Sequence, residues 1–471
     1  MPKVSESAAC PPIAASPPAF GRRLRPRALN WRADLWRVPL VLCLTAIALL
    51  LVTLRIDAAA AHGAIALPPW LSVGGPEDAR AILSAMLGAV STVLALIFSV
   101  ALLVLSMAVS QFGPRILYRF VRSGITQVTI GFFLASFVHT LLTFVVTRQE
   151  ASGYLAPAGV PVVPQLTILC NVLLVITSFA FLVVFSHRTA MAIQTQNVVA
   201  RIVADLDEAL AERAALVRMY DARPRDAGET TAEIGHLVAR CVAEGAMVPA
   251  WRTGFLQEVD LELVMAAATS ADAVVQMLAR PGQFVYEDMP LCRILPAARA
   301  PELVPTLRRA IDVGTHRTLG QDYEFAITQL VEIALRALSS AINDTFTGLT
   351  CIDWLGDAIR TIHATPAADG ALEDAAGRTR LLLPVPRFAR LVKAAFDQIR
   401  QAGAGNPAVL IRLLQTFTKL ATPITDEPSR EALRAQVTAV WEAAASAVFV
   451  TLDRTDVERA YDAACTALAC H

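Results

Sequence analysis

Ala81-Ile-Leu-Ser-Ala-Met-Leu-Gly-Ala-Val-Ser-Thr-Val-Leu-Ala-Leu-Ile-Phe-Ser-Val-Ala-Leu-Leu-Val-Leu-Ser-Met-Ala-Val-Ser110 contains no Asp, Glu, Lys or Arg. About 20 such residues of helix cross the hydrocarbon of a bilayer, so this run reads as a membrane span. At 1.5 Å per residue it reaches about 45 Å, half as long again as the roughly 30 Å hydrocarbon core. It therefore tilts or projects beyond the membrane. Working outward, residues 38–54 precede it, and residues 128–146 and 165–185 follow it as further apolar runs. The run at 38–54 begins too late and lacks the flanks of a cleavable signal peptide, so it reads as an anchor. Four transmembrane helices result. They account for a chain that is 55% hydrophobic and 17% charged, a balance that excludes intrinsic disorder of the whole.

The flanking cations set an orientation. Lys3, Arg22, Arg23, Arg25, Arg27, Arg32 and Arg37 precede the first span, and Arg115, Arg119 and Arg122 follow the second. The other two loops carry only Arg55 and Arg80, then Arg148. The positive-inside rule then puts both termini in the cytoplasm. Eight scattered cysteines with no C-x-x-C fit reduced thiols. Cys465, Cys470 and His471 at a helical tail read as unmodified side chains, not as a metal set.

Five regions follow: a disordered basic arm (1–37), a four-helix transmembrane domain (38–185), a helical stalk (186–223), a linker with a small β-rich, barrel-like module (224–300), and an α-helical bundle (301–471). The fold class is thus an α-helical membrane protein with a cytoplasmic α+β region. The stalk rests on the absence of Gly and Pro from 165 to 223. There Val199, Val203, Leu206, Leu210, Val217 and Tyr220 approximate a heptad seam that Arg213 interrupts. A bent helix folded back on its own domain reads the same residues equally well. The β-rich module is read from short alternating runs at 247–260 and 273–295, and six helices from residue 321 onward from apolar spacings of three and four.

Polar residues mark the candidate sites. On the second span, Ser84, Gly88, Ser91, Thr92, Ala95, Ser99, Ser106 and Ser110 fall within about 100° of arc, interrupted by Leu102. Small residues there suit helix packing; the same face could wall a hydrated pathway in an oligomer. Residues 111–122 interleave apolar side chains with arginine, as in a segment lying in the headgroup plane or in a short turn. His139 and Asn171 lie inside the third and fourth spans. An intramembrane histidine is a functional candidate, though a neutral ring donating to a nearby carbonyl is the cheaper explanation. Arg317, Asp322, Glu324, Asn343, Asp344 and Asp353 form a dense polar set in an otherwise apolar region. They read either as helix caps and ion pairs or as a site for a cation or an anionic ligand.

Thr253-Gly-Phe-Leu-Gln-Glu-Val-Asp260, Pro281-Gly-Gln-Phe-Val285, Val109-Ser-Gln-Phe-Gly-Pro-Arg115 and the block from Arg317-Thr-Leu-Gly-Gln-Asp-Tyr-Glu-Phe325 through Arg336-Ala-Leu-Ser-Ser-Ala-Ile-Asn-Asp-Thr-Phe-Thr-Gly-Leu-Thr-Cys-Ile-Asp-Trp-Leu355 are similar to the bacterial membrane proteins grouped as domain of unknown function 2254. The resemblance implies a bacterial inner-membrane protein and brings no catalytic residues. The β-rich module also resembles, more weakly, half of a lipoyl or biotinyl barrel. No lysine lies between Lys3 and Lys393, which excludes a covalent cofactor carrier.

No phosphate-binding loop, dinucleotide fingerprint, zinc-protease or serine-hydrolase motif occurs, so no enzyme, metal or cofactor is expected. Forty-one cations balance forty-one anions, so nothing points to nucleic acid. Two functions stay open. One is a pore-type homo-oligomer with a cytoplasmic regulatory domain. The other is a membrane-anchored binding or signalling platform, with the bilayer as its one assigned partner and its cytoplasmic ligand unknown.

Overall fold

The computed structural model describes residues 36–61, 68, 74–112, 124–148, 163–192, 195–220, 227–365 and 370–469. The basic arm and the segment after the second span lie outside these residues. Two compact units result: residues 36–102 with 124–186, and residues 103–112 with 187–469.

The first unit is built from α1 (Arg37–Ala61), α2 (Pro76–Phe112), α3 (Gly124–Arg148) and α4 (Gln165–Ala192), all long and apolar enough to cross a membrane. Half of the α3 span is buried, against 17–22% for the other three, so α3 is the hub of the four. Gly131 lets α1 close on it, since a side-chain carbon there would lie 3.1 Å from the Pro39 Cα. Leu83, Val90 and Ile97, seven residues apart on α2, are buried; Val90 and Ile97 pack with Ile130, Phe133 and Phe185. The outward faces expose Leu44, Leu51, Leu96, Leu173 and Val183. Apolar surface of that kind is stable against lipid tails and costly in water.

The second unit joins a helical bundle to a β-rich module. The bundle comprises α5 (Thr195–Tyr220), α9 (Tyr323–Ala337), α10 (Thr345–Ala364), α11 (Phe388–Ala402), α12 (Pro407–Ala421), α13 (Glu427–Ser446) and α14 (Thr451–Leu468). Val199, Ile202, Val203, Leu206 and Leu210 of α5 are buried in the same core as Leu330, Ile352, Phe396 and Phe417. The heptad seam is therefore a core face of this unit, and the stalk reading is corrected. The helix α4 runs to Ala192 and α5 starts at Thr195.

The module holds two sheets. One has the order β1 (Ala246–Pro249), β5 (Pro290–Leu295), β3 (Val274–Met277), β8 (Thr379–Leu382), β7 (Ala371–Glu373). The other has the order β4 (Phe284–Val285), β2 (Gly254–Val259), β6 (Ile311–Gly314). Helices α6 (Ala227–Glu244), α7 (Leu261–Ser270) and α8 (Ala300–Ala310) complete it. Two corrections follow. The module does not end at residue 300, because β6, β7 and β8 come from beyond it. The bundle region is likewise not all helix. The β7–β8 hairpin, between α10 and α11, enters the sheet by parallel pairing of β8 with β3, Val275 opposite Leu381. Arg380 fastens its turn, buried between Asp374 (2.8 Å) and Asp272 (2.6 Å). That contact holds the Asp374 carboxyl down at about 2.

Candidate functional site

The second unit encloses a cleft where the last turns of α5, the ends of β2 and β3, the start of α9 and the chain around 383–386 converge. Its interior volume is about 120 Å³, and its mouth is open to solvent. Leu216, Val217, Met277, Leu372 and Leu383 give it apolar walls, and the block 320–324 gives it a polar end.

That polar end is built by charge pairing. Asp322 caps α9, accepting from the Phe325 N–H at 3.1 Å, and takes both arms of Arg317 at 2.7 and 2.9 Å. Two parallel bonds of this kind fix a guanidinium in plane, and the Arg317 head also lies 5.0 Å from the Phe325 ring. Burial pushes the Asp322 carboxyl above the ordinary range, while Arg317 and the Phe325 amide oppose the shift. Gly282 is what lets the β3–β4 turn approach. It sits at φ +90°, and a side-chain carbon there would fall on the Asp322 carboxylate. Glu324 accepts from Arg280 at 2.8 Å and from Arg390 at 3.0 Å. Gln321 behaves as an extra strand residue, donating to the Val259 carbonyl and accepting from its N–H.

Of the six predicted ligand residues, the structure brings Arg317, Asp322 and Glu324 together and separates the rest. Asn343 stands in a left-handed turn at φ +52° after α9. Asp344 caps α10, accepting from the Thr347 amide at 3.1 Å and its hydroxyl at 2.6 Å. Asp353 accepts from Arg412 at 2.7 Å between α10 and α12. The other five side chains are thus engaged with their own chain, and Asn343 is exposed.

Arg213 is the cleft residue that the candidate set missed. Half-buried, it lies 5.6 Å from the Tyr323 ring and pairs with no carboxylate among the described residues. Its guanidinium donors are therefore open to the cleft, beside the Tyr323 ring, where burial pushes the phenol's ionisation up and keeps it a donor. The signal was visible as the one charge in the α5 seam. The seam leaves the helical core after Leu210 and borders the cleft at Arg213.

In the first unit, Ser84, Gly88, Thr92, Ala95, Ser99 and Leu102 are exposed and Ser91 is half-buried, with Ser91 and Thr92 donating to their own helix at Leu87 and Gly88. Ser106 of the second unit is exposed, and the Ser110 side chain lies outside the described ones. The predicted face is thus turned away from the hub. His139 and Asn171 are fully buried. Sequence reading passed over Asp57, which is buried and accepts from the Leu166 and Thr167 amides at 3.0 Å and the Thr167 hydroxyl at 2.7 Å. It closes the first turn of α4, where free amides and the helix dipole favour a carboxylate.

Among the described residues no group of three His, Cys, Asp or Glu side chains gathers as a metal set would. Cys292 and Cys351 lie in the cores of the second unit, where burial pushes both thiols up to about 12.

Comparison with known proteins places these features in a lineage. Proteins of Mycobacterium bovis and Mycobacterium tuberculosis, both described as uncharacterised, are 26% identical over 382 residues. The alignment covers 79% of this chain and 69% of each relative. No solved structure matches the chain. The family profile described as "Predicted membrane protein (DUF2254)" matches residues 32–419, and the chain belongs to that family.

Proposed function

We propose that the protein is a membrane-anchored binding platform, with its second unit in the cytoplasm of a bacterium and its spans in the inner membrane. The cleft takes an anionic amphiphile: an apolar body against Leu216, Met277 and Leu383, and a carboxylate or phosphate against Arg213. The observation that carries this is Arg213, a half-buried cation without a carboxylate partner among the described residues, at the edge of an apolar cleft. Burying a guanidinium unpaired is costly, and an anionic group arriving with the ligand offsets that cost. Arg317, Asp322 and Glu324 act as the frame of the cleft. The reading contains no chemical step.

The test is ligand-induced stabilisation. A long-chain fatty acid added to the detergent-solubilised protein raises the unfolding temperature, and Arg213→Gln removes the increase while unfolding normally alone. Equal stabilisation of both proteins would sink the reading.

A second reading keeps the pore-type homo-oligomer, supported by the exposed face of α2. Protomers ringed about that face would line a path with Ser84, Thr92, Ser99 and Ser106, narrowed at Leu102. Flux through proteoliposomes that Ser99→Leu blocks and Leu102→Ser enhances would support it. Absence of flux in every variant would remove it.

A further inference from the structure

The helical bundle of the second unit has two ends of different chemistry. At one, the Arg430 guanidinium donates to the Ala421 carbonyl at 3.1 Å and to the Ala467 carbonyl at 3.0 Å, and His363 Nε2 lies 3.4 Å from Asp426. The ends of α10, α12 and α14 and the start of α13 therefore meet there. This end is charged, with exposed Glu427 and Glu431 pairing with Arg434. Helices α10 and α13 hold 20 residues each, so both reach about 30 Å to the opposite end. The turns at 338–344, 403–406 and 447–450 are gathered at that opposite end, where Asn406 Nδ2 donates to the Thr345 hydroxyl at 3.2 Å.

The turn end is apolar. Among the described residues from Tyr323 to Leu468, the exposed large apolar side chains are Ile342, Phe346, Val448, Val450 and Leu452. All stand in these turns or in the first turn of the helix that follows. Phe346 is 84% exposed and Val448 99%. The backbone sets this display. Ala447 and Val450 are extended, so successive side chains point apart: Phe449 packs on the helical core, and Val448 and Val450 face outward. Asp344 is engaged by the Thr347 amide and hydroxyl, and Asp453 and Arg454 are of opposite sign.

The course of the chain identifies what covers this end. Arg213, late in α5, lies 5.6 Å from the Tyr323 ring at the start of α9, and Asp207 is close enough to Asp357 and Arg360 for their charges to act on it. Helix α5 thus runs beside α10 in the same direction, and stepping back equally along both puts Thr195 level with Thr345. The chain comes to Thr195 from the membrane: the fourth span extends to Thr189, and the Asn197 side chain donates to the Met191 carbonyl at 2.9 Å. The apolar turns therefore stand at the end of the bundle by which the chain enters it. A bilayer is the apolar phase to which that end is tethered, at high effective concentration.

We propose that this end of the bundle docks on the lipid surface, with Phe346, Val448 and Leu452 entering the boundary between headgroups and acyl chains and Ile342 and Val450 flanking them. Exposed apolar side chains gain there the burial that water denies them. The docking is independent of any ligand in the cleft.

The test is photocrosslinking of the full chain in liposomes of phosphatidylethanolamine and phosphatidylglycerol. Benzoylphenylalanine is placed singly at Phe346, at Val448 or, at the charged end, at Glu431. Adducts with radiolabelled lipid are expected at the first two positions, several-fold above those at the third. Lipid labelling at Phe346 or Val448 no higher than at Glu431 would overturn the proposal. So would adducts at those two positions that carry a second copy of the chain in place of lipid.

Discussion

At the scale of single residues, the buried charges Asp57, Asp322 and Arg380 hold this protein in register, each met by several partners. Asp57 joins α1 to the first turn of α4 through three bonds. Asp57→Ala strands those donors in an interior, at about 1–3 kcal/mol, so thermal unfolding in detergent should fall by several degrees. Gly282→Ala is expected to be worse than an ordinary turn substitution, because positive φ and the Asp322 carboxylate both oppose the new carbon. The loss should exceed about 1 kcal/mol and show in chemical unfolding of the second unit. Asp374 supplies the pH dependence. Its folded value of about 2 lies below the ordinary one, so its contribution is present above the unfolded value of about 4 and is lost as pH falls toward 2. Acid unfolding of Asp374→Asn should accordingly be flatter between those limits than that of the unaltered chain; identical slopes would refute the Arg380 clamp.

At the scale of elements, the four spans were legible because a long apolar run has few alternatives, and α10 because Asp344 opens it as a cap. The β7–β8 hairpin was not. Its strands are three and four residues long, and the partner that stabilises them, β3, lies about 100 residues away in the chain. Short strands carry too few alternations to be separated from a loop. The break between the last two helices is also short: α13 stops at Ser446 and α14 begins at Thr451, with Ala447 and Val450 extended. The intervening Val448-Phe449-Val450 is β-branched and aromatic, which disfavours helix. The polar cluster was half legible. Residues 317–324 were singled out, but their pairing made them a frame, and the open cation came from α5, whose Arg213 is more than 100 residues earlier. The packing of α1 on α3 gives a test at this scale. Gly131→Leu forces the helices apart at Pro39 and should abolish stable folding of the membrane unit, seen as loss of a monodisperse detergent peak.

At the scale of the whole molecule, composition announced a membrane protein, and the exposed leucines and valines of α1, α2 and α4 agree with it. The function depends on which surface carries a ligand. The balance of charge in the cleft of the second unit decides that most clearly: Arg213 and Arg280 line it, Arg317 and Arg390 reach its carboxylates Asp322 and Glu324 from outside the lining, and Arg213 has no carboxylate partner among the described residues. The direct measurement is a fluorescence titration of the purified full chain with an environment-sensitive fatty acid, comparing Arg213, Arg213→Lys and Arg213→Gln. Saturable binding that weakens modestly in the lysine variant and at least tenfold in the glutamine variant is the predicted result, since a charge-assisted bond contributes about 1.5–3 kcal/mol. Equal affinity across the three proteins would contradict the account.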